Sequence, residues 1–134
     1  MDPIRRPPDL LVSAKQFLAW DRFPDLAIQL IRLDRPVGYF FPQGNAHPTV
    51  LLFYTDDRVR EALFLLFHEV GHYLDEDTPA SSADPDLEAE QRAWRTGKEL
   101  LAEFCEKEGL PLEWLSAYED FARASLKTYR EKMR

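Results

Sequence analysis

Cysteine occurs once in this chain, at Cys105, so no disulfide can form within it. Cys105 lies in a helical pattern and reads as a small core residue rather than a nucleophile. No apolar run is long enough to span a bilayer. The N-terminal stretch Met1-Asp2-Pro3-Ile4-Arg5-Arg6 is not followed by the apolar core of a signal peptide, so a cytoplasmic location is expected. Basic residues are outnumbered, 17 against 24 acidic ones, for a net charge of -7. That balance argues against nonspecific binding to nucleic acid or to an anionic membrane. No internal repeat and no low-complexity segment is present.

What remains is a chain of 134 residues with 45% hydrophobic content, enough for one domain around one core, spanning residues 1–134. Histidine is scarce, with three residues in all. Two of the three fall in one pentapeptide, His68-Glu69-Val70-Gly71-His72, which is an HExxH motif. On an α-helix, residues four apart stand one turn above each other. His68 and His72 can therefore hold one metal ion through their imidazole nitrogens. Glu69 sits beside them, where a carboxylate can take a proton from a water at the metal. The segment before the motif is apolar on nearly every face, so its helix is expected to be central and buried. Burying two imidazoles and a carboxylate is costly unless they are paired or bind a metal.

A catalytic zinc site needs a third protein ligand. Residues 75–86 turn polar, with two prolines and two serines, and read as an exposed connecting loop. A helix is expected over residues 87–108, with Gly109 as its C-terminal stop. It offers Glu88 and Glu90 in its first turn, where a plain solvated carboxylate would also be favourable.

Elsewhere the pattern predicts a first helix over residues 9–22, with Leu10, Leu11, Ala14, Phe17 and Leu18 as its apolar stripe and Pro24 ending it. Strands are expected over residues 27–33, 37–41 and 49–54. The third is a plausible sheet edge, open to pairing with an extended peptide. Thr55, Asp56 and Asp57 supply caps for the HExxH helix. Pro111 opens a last helix with a stripe of Trp114, Leu115, Tyr118, Phe121, Ala122 and Leu126. The order implies an α+β fold: a small, mostly antiparallel three-stranded sheet packed against the HExxH helix and further helices.

Strands, an HExxH helix, then a helix carrying another glutamate: this order resembles the minimal gluzincin metallopeptidases, and within them the ImmA/IrrE-type proteins. Their apolar helix ends in HE-x-GH, as does His68-Glu69-Val70-Gly71-His72. Their next helix reads Glu-x-Glu-Ala-Asn/Asp-x-aromatic, matched here by Glu88, Glu90 and Trp94. The resemblance implies a zincin-like fold, a Zn2+ cofactor, and Glu90 rather than Glu88 as third ligand. It further implies endopeptidase action on a protein or peptide substrate, such as a regulator. Gln91 and Arg92 depart from the family pattern. That leaves open whether Asp86, Glu88 or a backbone carbonyl orients a ligating histidine.

For such an enzyme Glu69 is the expected general base. An oxyanion donor is also needed, for which Tyr54, Tyr73 and His47 are candidates. Manganese or iron could occupy the same ligand set. The competing expectation is a catalytically silent, metal-stabilised module that binds a protein partner. Such a module has no use for Glu69 as a base.

Overall fold

The computed structural model describes residues 7–42, 47–75 and 87–132. Among these residues the order is helix, three strands, three helices, as the sequence pattern implies. The chain forms two compact units divided between Leu66 and Phe67. The expected loop over residues 75–86 falls, apart from Asp75, outside the described residues.

The first unit opens with α1, Pro7–Lys15, which runs on as a π-helical segment, Gln16–Arg22. One uninterrupted α-helix was expected here. The reason for the wider turn lies in three consecutive buried residues, Phe17, Leu18 and Ala19. A π-turn spreads neighbours less around the axis, so all three face inward. The Phe23 N–H closes the segment on the Leu18 carbonyl at 2.7 Å, five residues back. Pro24, which has no N–H to donate, follows.

Three strands form one sheet: β1 Ala27–Arg32, β2 Val37–Phe41 and β3 Thr49–Tyr54. Their order is β1-β3-β2, with β1 parallel and β2 antiparallel to β3. Two expectations are corrected by this. The sheet is mixed rather than mostly antiparallel, and β3 is its centre rather than an edge. An extended peptide therefore cannot add to β3, whose two sides are both taken. Composition explains the placement. β3 (Thr-Val-Leu-Leu-Phe-Tyr) has no charge, proline or glycine, whereas β1 carries Gln29 and Arg32 and β2 carries Gly38. The strand that suits burial best takes the middle, and Val50 and Leu52 are fully buried. The opposite face keeps Ile31, Tyr39 and Phe41 exposed, with Tyr39 edge-on to Phe53.

Helix α2, Val59–Leu74, follows a turn in which the Arg58 N–H meets the Thr55 carbonyl. The Thr55 hydroxyl donates to Asp57, which holds that carboxyl below its ordinary range. Ala62, Leu63 and Leu66 are fully buried and Phe64 nearly so, as the all-round apolar pattern requires.

The second unit holds the end of α2, then α3, Leu87–Glu108, and α4, Glu113–Lys132. Gly109 ends α3 at φ 69, and the Leu110 N–H reaches back to the Cys105 carbonyl at 2.9 Å. That is a Schellman closure, which favours glycine in the left-handed position. The Pro111 carbonyl accepts the Trp114 N–H and starts α4. The α4 stripe is most buried at Tyr118 and Ala122, and Cys105 is a buried core residue as expected. No described helix is long and apolar enough to cross a membrane.

Two glycines let these helices meet backbone to backbone. A Cβ on Gly71 would lie 2.1 Å from the Ala93 carbonyl oxygen. A Cβ on Gly97 would lie 2.6 Å from the Phe67 carbonyl oxygen and 2.5 Å from the Tyr118 hydroxyl. Alanine is normally the better helix former, so the contact decides the sign here. Gly71→Ala is expected to destabilise the metal-free protein by about 3 kcal/mol through overpacking. Gly109→Ala, strained only by its positive φ, should cost about 1 kcal/mol. Urea denaturation of both variants checks this. Equal losses would mean that α2 and α3 do not depend on the Gly71 contact.

Candidate metal centre

The HExxH residues occupy the last turns of α2. His68, Glu69 and His72 are all buried, at 5%, 8% and 5% exposure. Helical spacing brings the two imidazoles together edge to face, with ring centroids 4.6 Å apart. The crossing at Gly71 brings the first turn of α3 against this face. There Glu90 spans both histidines: its Oε2 is 2.9 Å from His68 Nε2 and its Oε1 is 3.1 Å from His72 Nε2. Glu88 is exposed, two residues away on the helix, so Glu90 is the acidic residue that meets the pair. Glu69 completes the cluster, its carboxylate lying within 4.8 Å of the imidazole donor atoms.

Two imidazoles and one carboxylate form the donor set of a catalytic His2Glu zinc site. Tetrahedral bonds of that type place ligand atoms roughly 3.3 Å apart. The two Glu90–imidazole spacings lie within a few tenths of an ångström of that value, so this donor set is compatible with a metal ion. Buried Nδ1 atoms of both His68 and His72 have no hydrogen-bond partner among the described residues. The carboxylate or carbonyl that commonly orients a ligating histidine is therefore not supplied by Glu88. Asp86 lies outside the described residues.

Three neighbours were not anticipated as parts of the site. Trp94 lies flat on His68, with centroids 3.9 Å apart and 19° between the planes. Its position four residues after Glu90 was the available signal, since that spacing shares a helix face. Arg92 donates from Nε to both oxygens of Asp75, at 3.2 and 3.1 Å, and so ties the end of α2 to α3. Nothing in the sequence marks this pair, because its members are 17 residues apart.

Of the candidate oxyanion donors, only Tyr73 lies in the same unit as the cluster. Tyr54 ends β3 beneath the Arg32 guanidinium, and His47 offers its carbonyl to the Thr49 hydroxyl; both belong to the first unit. Tyr73 follows His72 directly on α2 and is half-buried.

Electrostatics separate the two carboxyls. Burial pushes Glu90 up, but hydrogen bonds from His68 and His72 outweigh it and hold the group at about 2. Burial also pushes Glu69 up, and there the nearby histidines only partly offset it, so its value stays raised. His72 is pulled down by burial and raised further by Glu90, Glu69 and Asp75, for a net rise. One carboxyl is thus a fixed anion and the other is suited to carry a proton.

No family model, no curated protein and no solved structure matches the chain. What the centre can do is therefore read from its own residues.

These shifts fix how stability of the metal-free protein depends on pH. Glu90, lowered from 4.5 to about 2, stabilises above pH 4.5 and loses that contribution as pH falls towards 2. His72, raised from 6.5, stabilises below pH 6.5 and loses that contribution as pH rises through its folded value. Glu69, raised from 4.5, adds to the alkaline loss. Chemical denaturation in the presence of a chelator should therefore show a maximum from the pair between pH 4.5 and 6.5, drawn to the acid end by Glu69. A profile that is unchanged in Glu90→Gln would show that the cluster does not set this dependence.

Proposed function

We propose that this chain is a zinc-dependent endopeptidase of the ImmA/IrrE-like, minimal gluzincin kind, hydrolysing peptide bonds of a protein substrate. The observation that carries the reading is Glu90 bridging the Nε2 atoms of both HExxH histidines, with Glu69 buried beside them. His68, His72 and Glu90 would hold the ion. When bound, zinc supplies Lewis-acid polarisation of a carbonyl and makes water more acidic.

Every remaining task falls to the chain. Glu90, an anion at neutral pH, balances charge at the site and keeps both Nε2 atoms directed to one point. Glu69 takes a proton from the attacking water as the new C–O bond forms. It returns that proton to the amine nitrogen as the C–N bond breaks. Its raised value, caused by burial, makes the protonated state accessible for the second half of this transfer. The burial of His68, Glu69 and His72 limits competition of bulk water for the proton.

Intact Glu69 also favours an enzyme over a silent metal-stabilised binding module. A buried carboxyl that ligates nothing is a cost to stability unless it is used. The regulator-like nature of the substrate rests on the family resemblance alone.

Metal analysis of the purified protein tests the site. Wild type should carry about one zinc per chain and Glu90→Ala much less. No uptake by wild type from added zinc at neutral pH would sink the peptidase reading. Glu69→Gln should keep the metal and lower peptide hydrolysis by about 10²- to 10⁴-fold. Undiminished cellular function in Glu69→Gln would leave the binding module as the better account.

A further inference from the structure

The position of the His68 ring needs a physical cause. A ligating histidine is ordinarily oriented by the hydrogen bond that its other ring nitrogen makes. In His68 that nitrogen, Nδ1, is buried and has no such partner among the described residues. The contact of Nε2 with Glu90 fixes one end of the ring, but without a bond at Nδ1 the ring plane could still turn about that anchor. What lies against the ring is the Trp94 indole, 3.9 Å away and nearly parallel. A close stack of this kind restricts rotation of the imidazole out of its plane.

The indole is itself held from α4. The Tyr118 hydroxyl donates to the Trp94 main-chain carbonyl at 2.7 Å. Burial pushes the Tyr118 phenol well up, so it remains a protonated donor. Tyr118 and Phe121 also meet the indole edge-on, with centroids at 5.4 and 5.7 Å. Gly97 makes room for this arrangement, since a Cβ there would strike the Tyr118 hydroxyl. The ion pair of Lys98 with Glu119 joins the same two helices one turn further along.

We propose that Trp94 is a positioning residue of the metal centre: clamped by Tyr118 and Phe121 of α4, its indole fixes the His68 ring in place of a hydrogen bond to Nδ1. The inference rests on the zinc reading above. It gives α4, which contributes no ligand, a direct part in metal affinity and geometry.

The test compares Trp94→Leu, Trp94→Phe and Tyr118→Phe with wild type in the full chain, using zinc and Co2+ as probes. Co2+ is included because its visible absorption depends on ligand geometry. Loss of a group that orients a ligand typically weakens metal binding roughly 10- to 100-fold, and that is the loss expected for Trp94→Leu. Its Co2+ band should also change position or intensity. Trp94→Phe keeps a ring to stack and should recover most of the affinity. Tyr118→Phe removes one hydrogen bond on the clamp and should weaken zinc about 5-fold. Far-UV circular dichroism and urea midpoints of the metal-free variants show whether they fold.

A folded Trp94→Leu protein with wild-type zinc affinity and an unchanged Co2+ spectrum overturns the role of Trp94 while leaving the metal site standing. Should Trp94→Leu not fold, Tyr118→Phe decides, and unchanged affinity and spectrum there overturn the clamp. Wild type that binds neither ion would instead remove the zinc reading itself, and the two failures are told apart by that one control.

Discussion

Among the described glycines, the tightest constraint is the approach of α2 and α3 at Gly71. The Ala93 carbonyl stands where any side chain on residue 71 would begin. Backbones can come this near only where a Cβ is missing. Because the contact lies inside the HExxH motif, between His68 and His72, the crossing point and the ligand face share one helical turn. Glu90 is three residues before Ala93, and so it reaches the pair from the facing helix. If α3 stood farther out, its carboxylate could not meet both Nε2 atoms.

That approach also creates the electrostatic character of the site. A carboxylate and two imidazoles lie together away from water, where charges act strongly on one another. Glu90 gains two hydrogen bonds and stays ionised, while Glu69, whose burial the nearby histidines only partly offset, is raised. The same residue type thus takes two roles, set by surroundings alone. Around this core the Asp75–Arg92 pair joins α2 to α3, and the Tyr118 hydroxyl joins α4 to α3. Each tie acts on a backbone that carries a site residue.

Much of this was legible in the chain. Strand bounds at β2 and β3, the extent of α3 and the glycine stop at Gly109 follow from local patterns, and the structure agrees with them. Local chemistry decides such features within a few residues. The π-turn after Lys15 was not visible, because an apolar stripe at helical spacing fits an α-helix as well. Strand order was misjudged for a related reason. Hydrophobic alternation tells which residues form a strand, yet a sheet of three strands admits several orders. The intrinsic burial of β3 pointed to the centre, and the short β1–β2 connection pointed the other way.

His68, Glu69 and His72 were determined by sequence alone, since five adjacent residues on one helix fix their own spacing. Selecting Glu90 over Glu88 drew on a family pattern, and only the tertiary structure shows Glu90 meeting the pair while Glu88 faces solvent. Trp94 on His68, Arg92 on Asp75 and Tyr118 on the Trp94 carbonyl were likewise decided by the packing of helices. The physical reason is range. Covalent spacing and helix periodicity act over a turn or two, whereas the meeting of side chains from different helices depends on how closely those helices can pack, which two glycines settle here.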